Sequence, residues 1–379
     1  MTSEETNQAC WLDGAGQPFT IRGAAIPTAA DNEVVIRTHA VAMNPVDAIR
    51  QKIGMAIPEG GYPWVIGADG AGVVHALGSH VKGLQVGDRV IAMGDEFGTH
   101  QPSHGSFQRY FCTSARYIGK IPNDIKLADA VVLPLCLSTA AGALFEKEGM
   151  GLSWPRLSDA DAHGKQKDLH NRDVVVVWGG SSVVGLCAIQ MLVLAGYCVI
   201  ATASKHNHDL VRGAGAQAVF DYKEDGCVEE VCNWVEERHL SCAGVLASVI
   251  DQTGRSVEQC GQVAKRLQGR KFVGTTLARG LMPLPDLGEE IKTSACLGIV
   301  QDDLLEYIWK EWMPQALEKG ELKCLPRPEI VGRGLVSVNE ACEIMGKGVS
   351  GSKLVVTDIR ATKAIECSTA RAANVVPRL

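Results

Sequence analysis

The stretch at residues 174–204, VVVVWGGSSVVGLCAIQMLVLAGYCVIATAS, narrows this chain to very few folds. Residues 174–178 form a β-branched run with no alternation, the pattern of a parallel strand buried on both faces. Gly179 and Gly180 break it, and residues 184–196 are long enough for a helix and apolar on nearly every side. A second strand, residues 198–202, follows at once. Strand, glycine turn, helix and strand within about thirty residues make the βαβ unit that binds dinucleotides. Its helix N-terminus offers free N–H groups and partial positive charge to a pyrophosphate. The turn runs Gly179-Gly180-Ser181-Ser182-Val183-Val184-Gly185, so Ser182 stands at the central glycine of G-x-G-x-x-G. The motif alone is a loose match, and its meaning comes from the strand and helix on either side. Gly180, Ser181, Ser182, Val183 and Val184 are the candidate phosphate cradle.

The end of the second strand selects the nucleotide. A ribose 2′-hydroxyl calls for Asp or Glu there, whereas a 2′-phosphate calls for cations and hydroxyls. This chain offers Ser204, Lys205 and His206, with Tyr222 following a third strand at residues 218–220. The reading is NADPH. Thr275, just past a strand at residues 271–273, joins the cofactor-binding set.

With 379 residues, 46% of them hydrophobic, the chain is long enough for two domains with a sizeable core. Its formal charge of -6 gives no footprint for nucleic acid or an anionic membrane, and neither is expected as a partner. Thirteen cysteines are scattered with no C-x-x-C. Cys136, Cys187 and Cys198 read as small core hydrophobes. The first residues, MTSEETNQACWLDG, are acidic and polar, unlike a signal or transit peptide. No apolar run reaches about 18 residues without a glycine or polar interruption. These features predict a cytoplasmic protein in a reducing compartment.

Residues 1–125 carry short strand-like runs (residues 33–43, 70–77, 88–93 and 107–112) separated by Gly-Ser and Gly-Asp turns, the pattern of an irregular β-barrel. Residues 127–145 look helical, broken or kinked at Pro134. Residues 149–173 are polar and long for a connection, so a surface excursion is expected. Strands and helices then alternate to about residue 300, predicting a doubly wound parallel sheet over residues 126–300. Helices at residues 228–240 and 256–267 and a strand at 246–250 belong to it. A helix at residues 302–319, an extended stretch at 326–331, a helix at 338–345 and a strand at 353–357 follow. Residues 359–379 read as a flexible tail.

Asn44-Pro45-Val46-Asp47, Gly67-Ala68-Asp69-Gly70-Ala71-Gly72, Val86-Gly87-Asp88-Arg89-Val90 and Gly105-Ser106-Phe107 precede the βαβ unit in that order. Order and spacing resemble the medium-chain dehydrogenase/reductase superfamily over residues 10–358, in its zinc-free branch. Val177-Trp178-Gly179-Gly180-Ser181, Ala203-Ser204-Lys205-His206-Asn207 and Phe220-Asp221-Tyr222 resemble the stand-alone trans-acting enoyl reductases that serve fungal polyketide synthases. The resemblance implies a Rossmann cofactor domain plus a GroES-like catalytic domain split in sequence, residues 301–358 returning to residues 1–125. It also implies a substrate between the domains and a monomer or homodimer.

Zinc alcohol dehydrogenases of this superfamily carry Cys where this chain has Asn44 and His-Glu where it has Ala68-Asp69. Their four structural cysteines have no counterpart between Met93 and Tyr110. His100 and His104, separated by Gln101-Pro102-Ser103, read as two exposed loop histidines. No metal is expected. Reduction of an activated C=C then needs hydride delivery to the β-carbon, donors to the carbonyl and a proton at the α-carbon. Asn44 and Thr139 match positions near the nicotinamide in related reductases, with Asp47 as a structural acid or a proton donor. The lysine that related reductases carry two residues after the motif aspartate is Ile49 here, with Arg50, Gln51 and Lys52 as neighbours. The tyrosine of mitochondrial-type enoyl reductases is absent, and Tyr62 beside Pro63 replaces it poorly.

Three functions fit. The first is an NADPH-dependent enoyl reductase acting on a small-molecule or carrier-bound acyl substrate, with a polyketide synthase as partner. The second is a free-standing quinone or enone reductase. The third is a non-redox protein of the same fold that binds NADPH or assists a cyclisation.

Overall fold

The computed structural model describes residues 6–158, 173–249, 251, 253–276, 284–296 and 301–361. The chain divides into two compact units, Cys136–Pro326 on one side and Met1–Leu135 with Arg327–Leu379 on the other. The sequence places these divisions near residues 126 and 301, earlier than observed. Residues 302–318 stay with the Cys136–Pro326 unit because buried Trp309 donates its Nε1–H to Ser138 Oγ at 3.1 Å.

That unit holds six parallel strands: Asp173–Trp178, Cys198–Thr202, Ala218–Phe220, Ser241–Ala247, Phe272–Thr275 and Lys292–Ala295. Counted along the chain, they lie in the order third, second, first, fourth, fifth, sixth. This is the doubly wound arrangement, and the direction of building reverses between the first and fourth strands. Ligands bind such sheets at the carboxyl ends of the strands flanking that reversal. Val174 to Val177 are fully buried, as strands covered by helices on both faces require. Helix Val183–Leu194 is buried around most of its girth. Helix Cys227–Glu236 buries Cys227, Val231, Cys232 and Val235, with Val228 only partly covered.

The other unit is built on a seven-stranded sheet. Its path runs Pro328–Arg333, Lys353–Thr357, Glu33–Ala42, Asp69–Leu77, Arg89–Met93, Ile118–Lys120, with Tyr110–Ser114 also paired to Glu33–Ala42. The C-terminal segment thus returns to the N-terminal barrel, and Lys353–Thr357 lies antiparallel to Glu33–Ala42. Strands Asn7–Leu12 and Thr20–Ala24, with Trp64–Val65, make a small second sheet. The first lies in a segment read as acidic and polar, yet Cys10 and Leu12 are fully buried. The strand expected at residues 107–112 begins later, at Tyr110, because Ser106 and Phe107 donate their N–H groups to Gly67 and Ile66 instead.

Two helical readings change. The segment at 302–319 is helix Asp302–Glu306, a π-helical turn Tyr307–Trp312 and helix Met313–Glu318. Pro314 has no N–H for the carbonyl four residues back, and the helix widens just ahead of it. Leu127–Phe145 divides into Leu127–Ala130 and Pro134–Phe145, with Pro134 opening the second helix where its missing N–H costs nothing. Leu127–Phe145 is long and apolar enough to cross a membrane, but it is interrupted by Asp129, Ser138, Thr139 and Gly142, and 72% of its apolar window is buried inside the protein. Most of the expected excursion (residues 159–172) and tail (residues 362–379) lies outside the described residues. Cys136, Cys187 and Cys198 are buried, as expected of small core hydrophobes.

Candidate functional site

The phosphate cradle is local. Gly179 adopts φ 87, and a Cβ there would lie 2.8 Å from Val249 Cγ2. At Gly185 a Cβ would lie 2.6 Å from Gly179 O, so this glycine lets the helix start against the turn. Ser182 caps helix Val183–Leu194: its Oγ accepts from Gly185 N at 2.9 Å and lies 3.2 Å from Ser248 Oγ. Ser248 Oγ in turn donates toward Trp178 O (2.8 Å) and Gly179 O (2.9 Å). The serine that replaces the motif glycine is therefore folded into the turn. Val183 and Val184 open the helix with N–H groups that have no acceptor four residues back within it. Gly180 is buried, while Ser181 through Val184 are partly exposed. A pyrophosphate fits this set of donors.

The residues expected at the ribose end lie at the ends of the second and third strands. Ser204 is buried, and its Oγ donates to Tyr222 Oη at 3.1 Å, while Lys205 and His206 are exposed in the short turn Lys205–Asn207. One acid stands close by. Asp221 accepts the backbone N–H of Lys205 at 3.2 Å and of Lys223 at 3.0 Å, which fixes the loop between the two strand ends. Thr275 is different: it is fully buried, and its hydroxyl donates to Ser294 O at 2.8 Å, tying two neighbouring strands together.

In the other unit, Asn44 caps the start of helix Pro45–Ile53 and is 1% exposed. Its Nδ2 donates to Asp69 Oδ2 at 2.9 Å and faces Asp47 Oδ2 at 3.4 Å, and its Oδ1 accepts from Lys353 Nζ at 2.5 Å. Lys353 Nζ also pairs with Asp69 Oδ2 at 2.7 Å, both side chains being out of water. Leu135 N donates to the other oxygen of Asp69 at 2.7 Å. Asp47 accepts from Asn44 N at 2.8 Å, and burial, reinforced by the charge of Asp69, pushes its carboxyl up to about 7. Sequence reading passed over Asp69 and Lys353. The signal available was a lysine opening the otherwise apolar run KLVVT, a position where an unpaired charge is not tolerated.

Around this network, Ile49 is exposed and offers no proton. Arg50 is buried and pairs with Glu96, which also accepts from Trp64 Nε1 at 3.1 Å, so Arg50 does not stand in for the missing lysine. Thr139 lies half-buried on helix Pro134–Phe145, beside Ser138. The expectation for His104 fails: it is 2% exposed, with Nδ1 2.8 Å from Asp95 Oδ1, whereas His100 is exposed as predicted. Residues 277–283 and 297–300, which follow the fifth and sixth strands, lie outside the described residues.

Residues 30–123 match the alcohol dehydrogenase GroES-like domain. The dehydrogenase azaJ of Aspergillus niger is 35% identical over 358 residues, covering 93% of this chain and 99% of that protein. The trans-enoyl reductase himH of Aspergillus japonicus is 33% identical over 357 residues, covering 92% and 97%. Among solved structures, the CurK enoyl reductase superposes with a TM-score of 0.68 at 18% identity, over 93% of this chain and 99% of that one. A doubly wound nucleotide unit joined to a GroES-like unit defines a two-domain oxidoreductase that uses a nicotinamide cofactor. The chain belongs to the medium-chain dehydrogenase/reductase superfamily, among relatives named as fungal dehydrogenases and trans-enoyl reductases.

Proposed function

We propose that the protein is an NADPH-dependent enoyl reductase that acts in trans on an α,β-unsaturated acyl thioester of polyketide type, with no metal in the reaction. The observation that carries this reading is the full-length relationship to a trans-enoyl reductase. Supporting it, Ser204 and Tyr222 are hydrogen-bonded to each other beside Lys205, where a 2′-phosphate would sit, and the Asp221 carboxylate close by accepts two backbone N–H groups. Bound NADPH would supply hydride to the β-carbon. Gly180 and Ser181 give it a close-fitting turn, and the helix opened by Val183 and Val184 holds its pyrophosphate. Thr139 offers its hydroxyl to the thioester carbonyl, where negative charge develops. Asn44, with its amide engaged by Asp47, Asp69 and Lys353, is a positioning residue. With isoleucine at position 49, the α-carbon takes its proton from water.

Incubation with NADPH deuterated at C4 and an acyl-carrier-bound enoyl chain tests this. Deuterium is expected at the β-carbon, and solvent hydrogen at the α-carbon. A product without deuterium would refute the reductase reading, and turnover confined to free quinones would replace the substrate. Lys205→Ala should weaken NADPH by about 1.5 to 3 kcal/mol and leave NADH unchanged, because a charge-assisted bond to phosphate is lost. Equal losses for the two cofactors, measured by fluorescence titration, would show the phosphate to be elsewhere.

A further inference from the structure

Away from the nucleotide turn and the Asn44 network, the barrel unit gathers a second set of buried polar groups. Glu33 opens strand Glu33–Ala42, Cys112 sits in the adjacent strand Tyr110–Ser114, and His104 closes the short turn Pro102–His104. One ligand atom from each lies within 4.8 Å of the other two. Glu33 Oε1 is 3.5 Å from His104 Nε2, and Glu33 Oε2 is 3.3 Å from Cys112 Sγ. Ligand atoms sharing one tetrahedral zinc at bonds of about 2.0 to 2.3 Å lie about 3.3 to 3.8 Å apart. Two of the three ligand pairs already have that spacing.

The hydrogen-bond pattern points the same way. His104 Nδ1 is 2.8 Å from Asp95 Oδ1, which leaves Nε2 on the Glu33 side, 3.5 Å from its Oε1. His104 is 2% and Cys112 1% exposed, while Glu33 is partly exposed and its Oε2 also accepts from Ala30 N at 3.0 Å. A cation between the groups would be held by all three. Asp95 behind His104 is the carboxylate–histidine arrangement that orients an imidazole on a metal. Asp95 is itself steadied by Ser114 N at 3.4 Å.

We propose that Glu33, His104 and Cys112 form a structural zinc site, with water as the fourth ligand on the partly exposed Glu33 side. Mixed nitrogen, sulfur and oxygen donors suit Zn²⁺ and disfavour Mg²⁺ or Ca²⁺. Without metal the Cys112 thiol donates to Glu33. On binding, the S–H proton leaves to solvent and a sulfur–zinc bond replaces it, so carboxylate and thiolate together balance the two positive charges. The ion would staple the segment around residues 95–114 to the first strand of the barrel. It takes no part in the reduction, and the inference stands independently of the proposed substrate.

The full chain, stripped with a chelator, is titrated with Co²⁺ and then Zn²⁺. One equivalent of Co²⁺ should bring up a thiolate-to-cobalt charge-transfer band with the visible bands of a four-coordinate ion, and one equivalent of Zn²⁺ should abolish both. Cys112→Ser, which keeps the size and the hydrogen bond, should lose the charge-transfer band while circular dichroism stays unchanged. Glu33→Gln should weaken Co²⁺ at least tenfold. Zn²⁺ should raise the Tm of the unaltered chain and not that of Cys112→Ser. Absence of the band in the unaltered chain would overturn the proposal. The same band in Cys112→Ser would overturn it in favour of another cysteine.

Discussion

In the phosphate-binding turn, the contacts that shape the backbone lie within a few positions of one another: Ser182 reaches Gly185, and Gly185 leaves room for Gly179. In the Asn44 network, Lys353 reaches Asn44 across 309 positions and Asp69 joins from a third strand. The turn offers backbone N–H groups and needs small residues to bring them close. The network has charged side chains in a dry interior, where each depends on the others for its counter-charge. The first should therefore tolerate single changes that spare the backbone. The second should fail as a unit.

The largest test breaks the network. Lys353→Met leaves Asp69 buried without its cation and should cost about 3 to 5 kcal/mol in urea unfolding. Adding Asp69→Asn should recover most of it. A loss below about 1 kcal/mol would mean that the pair behaves like a surface bridge and that the contrast is false.

A second test sharpens the contrast through pH. Because the carboxyl of Asp47 is raised from 3.8 to about 7, the folded protein holds a proton there that the unfolded chain has released. Its stabilising effect is complete below pH 4 and is lost as pH rises to about 7. Relative to the Asp47→Asn variant, the unaltered protein should lose on the order of 3 kcal/mol across that window. Parallel stability profiles for the two proteins would contradict this environment for Asp47.

The smallest expected effect lies in the turn. Aspartate caps helices as well as serine does, so Ser182→Asp should leave Tm unchanged. Its charge at the helix start should weaken dinucleotide binding about tenfold, or 1.4 kcal/mol. Calorimetry that shows unchanged affinity would remove the pyrophosphate from this helix.

The turn and its flanking strands were legible because strand, turn and helix are local events. The valine run, the two glycines and the apolar helix are contiguous, and strands Cys198–Thr202 and Ala218–Phe220 fall where the sequence puts them. The gathering of Ser204 with Tyr222 could be foreseen for the same reason, since parallel strands in register bring their ends together. Strand Asn7–Leu12 was illegible because it follows an acidic, polar stretch and its buried positions, Asn7, Ala9, Cys10 and Leu12, do not alternate. His104 was read as exposed because a proline-containing loop ordinarily is. Its burial depends on Glu33 and Asp95, which the folded barrel brings to it.

The sequence by itself determined that a nucleotide-binding βαβ unit follows a glycine-rich barrel, because hydrophobic period and glycine placement act over a few residues. Only the tertiary structure decided that Lys353 would meet Asp69 and Asn44, that Glu33, His104 and Cys112 would share a pocket, and that Arg50 would be taken up by Glu96. Charges far apart in the chain choose partners only when burial removes water as the alternative, and burial belongs to the fold as a whole.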